Sequence, residues 1–476
     1  MSTHPLEEIL HPKSIAVVGA SDNPASSGYR FTTHQLEYGY KGKIYPVNPK
    51  YSEVGELKVY PSLKDIPGPV DYVISCVPAA EVLSMLEDCP QKGVKAVHFF
   101  TARFSETGRQ EAVELEQEIL KRARKWGIRI IGPNCMGLYY PREGISFGYD
   151  FPKEPGSVGL AAQTGGGSAL FIYAARLRGI RFSKVISYGN AIDFNECDFL
   201  EYFAQDPETE IILMYIEGVK EGKRFFKTLR QAASVKPVII IKAGRGESGT
   251  RAIASHTASL TSSMKVWETL VAQAGAISAK NFNEMADLTV FLSFLPPIQG
   301  PRVGIAGGGG GPSVLAADEC EEAGLDVVPI PQEFRDELKS KGIQIWDWVD
   351  NPTDVSILGG SGFTIPDMLQ MMAKSENFDL LITLIFDVPF RQEKGMTASL
   401  RDQVEAYTKV KKETSKPILV VVEEKSSGLE EHDRWRWRLL GETRTKLIEA
   451  GIPIYPTFGR AARAARKLID YYQRRK

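Results

Sequence analysis

Histidine is scarce in this chain, with six copies among 476 residues. The five cysteines (Cys76, Cys89, Cys135, Cys197 and Cys320) are scattered and include no CxxC pair. That usage argues against a disulfide scaffold and a zinc cluster, so no metal site is expected. Excess charge of either sign is also missing: 58 Lys and Arg against 59 Asp and Glu leave a net charge of −1. Such a balance does not suggest a nucleic-acid partner. No apolar run is long enough to span a bilayer, and the stretch Met1 to Lys13 lacks the apolar core of a secretory signal. A cytoplasmic protein with reduced thiols and no membrane attachment is expected.

What the chain does have is bulk and a repeated grammar. A hydrophobic content of 43% and a charged content of 25% are those of a soluble globular protein. The pattern strand, glycine loop, helix occurs from Ile15, from Val158 and from Val303, at intervals of about 145 residues. These apolar runs are short and lack period-two alternation, as strands buried on both faces do. Further strands are predicted from Ile44, Tyr72, Ala96 and Ile128, then from Lys184, Glu210 and Lys236, then from Leu325, Asp379 and Lys416. The pattern predicts an α/β protein of three doubly wound Rossmann/flavodoxin-like domains with mainly parallel sheets, at residues 1–140, 155–295 and 300–476. Linkers are expected at Tyr140 to Gly156 and at Phe294 to Pro301, the latter rich in Pro and Gly. The basic terminal segment from Arg460 carries Ala461, Ala465, Leu468 and Tyr472 at helical spacing, which predicts a packed helix. Trp346 and Trp348 read as loop packing.

His256 follows a buried-type strand, Val238 to Lys242, and a small-residue loop. An α/β protein places its chemistry beyond the carboxyl end of such a strand. A neutral imidazole is a nucleophile near pH 7 and can carry a phosphoryl group. A loop histidine that only hydrogen-bonds its surroundings fits the segment as well. The first glycine loop, Gly19 to Gly28, offers backbone amides for a phosphate at a helix start. It is not GxGxxG, and the end of the second strand carries Lys50 where an NAD site wants an acid. A lysine there suits a phosphorylated ribose, as in NADP or coenzyme A. A solvated loop lysine is the alternative.

Gly19-Ala20-Ser21, Tyr45 to Lys50, Val77-Pro78-Ala79 and Gly132 to Gly137 resemble the CoA-binding domain of nucleoside-diphosphate-forming acyl-CoA synthetases, the superfamily of succinyl-CoA synthetase. The closer resemblance is to the α subunits of ADP-forming acetyl-CoA synthetases. It covers nearly the whole chain. Gln163 to Gly167, Ser187 to Asn190, Asp198 to Thr209, Tyr215 to Gly218, Ser255 to Leu260, Gly308 to Asp318, Asn351 to Val355 and Gly451 to Ala464 match in order.

The resemblance implies a reversible ligase that joins a carboxylic acid to CoA through an acyl phosphate and a phosphohistidine at His256, with Glu217 hydrogen-bonded to that histidine. It implies CoA contacts at Gly19, Ala20, Ser21, Gly28, Val47, Asn48, Lys50, Val77, Pro78, Thr101, Ala102 and Arg103. Phosphate or acyl contacts are implied at Asn134, Gln163, Thr164, Gly165, Gly166, Gly189, Asn190, Gly310 and Gly311. CoA is then a substrate, and no tightly bound cofactor is expected. No nucleotide-grasp module is visible, so ADP or ATP with Mg2+ is expected on a separate ATP-grasp β subunit, in a dimer of αβ pairs. The chain departs from the family pattern at Arg103 and Ala258, where glycine is usual, and at Gly307 to Pro312, where Asn-Ala-Gly-Gly is usual. Cys135, beside Asn134, reads as structural. The competing readings are a CoA-binding regulatory protein without catalysis and an NADP oxidoreductase, the latter disfavoured by the missing GxGxxG.

Overall fold

A computed structural model describes residues 4–249, 251, 264–358, 361–385, 392–422 and 434–475. His256 and its neighbours from Ala252 to Ser263 lie outside the described residues. The first sheet has five parallel strands in the order Lys43–Val47, Ser14–Val18, Tyr72–Ser75, Ala96–Phe99, Arg129–Ile131. The strand order reverses at Ser14–Val18, which opens a crevice beyond its carboxyl end. Every residue of Ser14–Val18 and Tyr72–Ser75 is buried, as expected of strands covered by helices on both faces.

The second sheet runs Ile277–Ala279, Val238–Lys242, Ile211–Ile216, Val158–Ala162, Phe182–Ser187, Gly137–Tyr139. Its last strand is antiparallel to Phe182–Ser187, and the others are parallel. Gly137–Tyr139 precedes Tyr140, so the chain enters the second sheet earlier than the sequence pattern suggested. Three apolar-rich residues after a turn carry no signal of which sheet they join.

These two sheets lie in one compact unit, Met1–Met285, and the third sheet lies in a second, Ala286–Lys476. Side-chain bonds tie the first two sheets together. Arg129 pairs with Asp193 at 2.7 Å, and the Tyr202 hydroxyl donates to Glu7 at 2.9 Å. A buried lysine anchors the second sheet. Lys184, 1% exposed, meets Asp206 at 2.9 Å and Glu208 at 2.8 Å, and Glu208 also accepts from the Tyr140 hydroxyl. Two carboxylates and the ring of Tyr140, 4.6 Å from the ammonium, offset the cost of removing that charge from water.

The third sheet is parallel throughout, in the order Asp326–Val327, Arg302–Ala306, Leu380–Leu384, Ile418–Val421, Ile454–Tyr455. The edge strands are only two residues long. Asn351 stitches this unit: its side chain accepts from Ile305 N–H and donates to the carbonyls of Val303 and Val328. The helix Phe458–Arg475 closes it, burying Ala461, Ala465 and Leu468. Trp346 packs against the core, whereas Trp348 is 73% exposed, contrary to the packing role read for both. No helix among the described residues is long and apolar enough to cross a membrane.

Candidate active site

Two cavities meet at the switch point of the first sheet, and both are lined by Cys76, Val77 and Pro78. One, of about 510 Å3, reaches Gly19, Val47, Asn48 and Lys50. The other, of about 910 Å3, reaches Thr101, Ala102, Arg103, Asn134, Gly165 and Gly166. The loops that converge here leave strands of the first sheet, while Gly165 and Gly166 begin a helix of the second. Residues that the sequence placed far apart thus border two adjoining cavities that share Cys76, Val77 and Pro78.

The turn at Gly19 is shaped by contact. Its φ is +90°, and a Cβ there would meet the Cys76 carbonyl carbon at 3.0 Å. A Cβ on Gly28 would lie 1.9 Å from the Gly19 oxygen, so the helix Ser27–Tyr38 packs directly on the turn. Both Gly19 N–H and Ala20 N–H donate to the Val47 carbonyl, at 2.9 and 3.2 Å. These two amides are therefore taken, whereas the helix start that ends this loop lies at Ser27. Asn48 donates to the Ala20 carbonyl at 2.6 Å and accepts from Lys50 N–H at 2.9 Å, fixing the segment that carries Lys50. Glu81 and Asp88 also border this cavity, and Asp88 is paired with Lys64 at 2.7 Å.

In the larger cavity Thr101 donates to the Val77 carbonyl at 2.7 Å, and its own carbonyl accepts from Asn134 N–H at 2.9 Å. Asn134 has a positive φ of 58°. Opposite it the helix Gly165–Arg176 starts, and Thr164 caps it by accepting from Gly167 N–H at 3.2 Å. The first-turn amides of a helix lack intrahelical partners and favour an anion. A Cβ on Gly166 would meet nothing within 4 Å, so this start is open. Burial raises the Cys76 thiol to about 12 and the Cys135 thiol further, so neither supplies a thiolate near neutral pH.

Glu217 follows the strand Ile211–Ile216, and its position is set by Gln163. The Gln163 side-chain oxygen accepts from Glu217 N–H and, at 3.0 Å, from Gly218 N–H. Lys242 Nζ donates to the Glu217 carbonyl at 2.8 Å and to the Ala243 carbonyl at 2.7 Å. Burial lowers the pKa of this ammonium, and the Glu217 charge partly restores it. Ile216 and Lys242 are in register, and Ala243 N–H donates to the Ile216 carbonyl at 2.9 Å. The loop that leads on to His256 therefore departs beside Glu217.

Other predicted site residues have internal duties. The Asn190 amide nitrogen donates to Glu106 at 2.7 Å and to Glu116 at 3.1 Å. A Cβ on Gly189 would lie 2.2 Å from the Pro133 carbonyl oxygen, so this loop docks on the Asn134 loop. In the second compact unit, Gly310 opens the helix Gly310–Glu322 behind Gly307 and Gly308, whose φ values are 109° and 105°. A Cβ on Gly311 would meet nothing within 4 Å. Lys242 and Glu106 were not singled out from the sequence. A lysine ending a buried strand is a signal that burial alone makes unusual; Glu106 offered none.

Comparison with known proteins decides the family. Residues 13–141 match the model of a CoA binding domain, and residues 155–292 match that of a succinyl-CoA ligase like flavodoxin domain. The α subunit of ADP-forming acetate–CoA ligase II from Pyrococcus furiosus is 37% identical, over 87% of this chain and 89% of its own length. The chain belongs to the ADP-forming acyl-CoA ligase family. In Archaeoglobus fulgidus, ADP-forming acetate–CoA ligase II is 31% identical over 99% of this chain but only 67% of its own length. A solved structure of acetyl-coenzyme A synthetase 1 from Ca. Korarchaeum cryptofilum, in complex with phosphate and ADP, superposes with a TM-score of 0.79 at 32% identity, covering 99% of this chain and 98% of that one. That structure thus shares the fold of both compact units.

Proposed function

We propose that this chain is the α subunit of an ADP-forming acyl-CoA synthetase. It interconverts acyl-CoA, phosphate and ADP with the free acid, CoA and ATP. The observation that carries this reading is the pair of adjoining cavities, one bordered by Lys50 and the other by the helix start at Gly165 and Gly166. CoA lies along them, with its phosphorylated ribose toward Lys50 and its thioester toward Asn134. Gly19, Ala20, Ser21, Gly28, Val47, Asn48, Val77, Pro78, Thr101 and Ala102 shape the CoA path. Much of that shaping is steric, because the Gly19 and Ala20 amides are already bonded.

A phosphate oxygen attacks the thioester carbonyl, the C–S bond breaks, and CoA leaves as the thiolate. Asn134 and the amides of Gly165 and Gly166 stabilise the charge that develops. His256 then attacks phosphorus, the bond to the acyl oxygen breaks, and the carboxylate leaves. Glu217 fixes the imidazole tautomer so that the other ring nitrogen is the nucleophile. Gln163 and Thr164 hold Glu217 and the helix start in place. Gly189 and Asn190 support the Asn134 loop, and Gly310 and Gly311 open a helix of the second compact unit. Finally a terminal ADP oxygen attacks phosphorus, and the P–N bond breaks.

The three sheets divide the work: residues 1–140 bind CoA, 155–295 carry the phosphohistidine, and 300–476 complete the ligase. ADP and Mg2+ sit on an ATP-grasp β subunit, in a dimer of αβ pairs in the cytoplasm. The relative named as an α subunit supports a partner chain here. The test is acid-labile phosphate labelling of the chain by acyl-CoA and labelled phosphate, followed by peptide mapping. Label is expected on His256 and absent in His256→Ala; label that persists in the variant refutes the assignment.

A further inference from the structure

Among the described residues, Arg103 is the only charged one lining the larger cavity. The other lining residues are uncharged: apolar ones such as Val77, Pro78, Phe100 and Met136, and the polar Ser27, Thr101 and Asn134. The Arg103 backbone sits at φ 79°, in the left-handed region that glycine adopts freely and arginine does not. Glu106 holds it there, accepting from Arg103 N–H at 2.5 Å and from Phe104 N–H at 3.0 Å. The same carboxylate also accepts from Asn190 at 2.7 Å. The nearest acid in sequence is thus engaged by three donors, and the guanidinium has no ion-pair partner among the described residues.

We propose that Arg103 sets the acid that this enzyme uses, selecting an acyl group that carries a second carboxylate. The inference rests on the acyl-CoA synthetase reading and deepens it. Two other anions compete for the guanidinium. The CoA phosphates belong at the Lys50 end, in the cavity that Arg103 does not line. Inorganic phosphate has the helix start at Gly165 and Gly166, with its oriented amides. The acyl end is left with an apolar wall and one planar, five-donor cation, which matches a carboxylate two oxygens wide. Arg103 is exposed to solvent as well as lining the cavity, so a carboxylate partner gains from the bidentate fit and not from relief of a buried charge.

The experiment titrates the chain calorimetrically with pairs of thioesters matched in shape and different in charge: malonyl-CoA against isovaleryl-CoA, and succinyl-CoA against isocaproyl-CoA. At least one dicarboxylic member is expected to bind about 10-fold or more tighter than its partner, in line with a bidentate charged hydrogen-bond pair. Arg103→Gly, which suits the left-handed backbone and so keeps the fold, is expected to erase that preference. Arg103→Lys is expected to keep only part of it. Equal affinities in both pairs for the unaltered chain overturn the proposal. So does an Arg103→Gly variant that loses free CoA as much as the thioesters, which assigns the guanidinium to a CoA phosphate. A selective loss of inorganic phosphate binding overturns it likewise. If the unaltered chain binds neither CoA nor any thioester, the synthetase reading itself fails, a result distinct from binding without charge preference.

Discussion

The side-chain oxygen of Gln163 holds the turn that presents Glu217, accepting from the amides of both Glu217 and Gly218. Gln163 begins the loop before the helix Gly165–Arg176, so one residue couples that helix start to the carboxylate proposed to orient the phosphorylated histidine. Replacing Gln163 by Leu removes the acceptor for two amides, at a cost of about 1–3 kcal/mol. The single-turnover rate of histidine phosphorylation is expected to fall by about 10-fold or more. CoA affinity, measured in parallel, is expected to hold, because the Lys50 cavity does not include Gln163.

Lys50 lies on a segment locked by Asn48 and borders the smaller cavity. If it meets the ribose phosphate, the chain prefers CoA to 3′-dephospho-CoA. Lys50→Ala is expected to weaken CoA by about 10-fold and dephospho-CoA hardly at all, a difference that shrinks with added salt. Equal losses for the two ligands would remove the lysine from the phosphate.

Lys184 is surrounded by Asp206, Glu208 and the rings of Tyr140 and Tyr202. Lys184→Met leaves a buried carboxylate without its cation, which costs about 3–5 kcal/mol. The urea midpoint of the first compact unit is expected to fall accordingly. Adding Asp206→Asn and Glu208→Gln to Lys184→Met is expected to recover part of the loss.

His98 is a core histidine. Its Nε2 lies 3.0 Å from the Cys135 carbonyl, which only accepts, so Nε2 carries the proton of the neutral ring. Burial pushes its pKa down to about 4, from 6.5 for an unperturbed histidine. Between those values the unfolded chain binds more protons than the folded one. Stability present at neutral pH is therefore lost as the pH falls from 6.5 toward about 4, by about 3 kcal/mol in all. Unfolding midpoints across this range are expected to show the decline, and a His98→Gln variant is expected to show a shallower one.

The α/β class and the three glycine-loop units were legible because strands buried on both faces read as short apolar runs, and strand-to-helix turns need small residues. The link between Glu217 and the loop before His256 came from the family resemblance, and the register of their two strands puts Glu217 beside the start of that loop. The duties of particular side chains were not legible. Asn190 matched a family string, yet its amide ties two sheets together through Glu106 and Glu116. Gly19 and Ala20 matched a CoA loop, yet their amides serve the Val47 carbonyl.

The sequence by itself determined which segments are buried, where the chain turns sharply and which family the ordered motifs belong to, because burial and turn geometry act on residue type and spacing. Only the tertiary structure decided that Gly137–Tyr139 joins the second sheet, that Lys184 finds two carboxylates and that Arg103 is the one charged residue among the described residues lining its cavity. Hydrogen bonds and ion pairs form between groups far apart in the chain. Their partners are fixed by which loop ends converge, and no local pattern of residues records that.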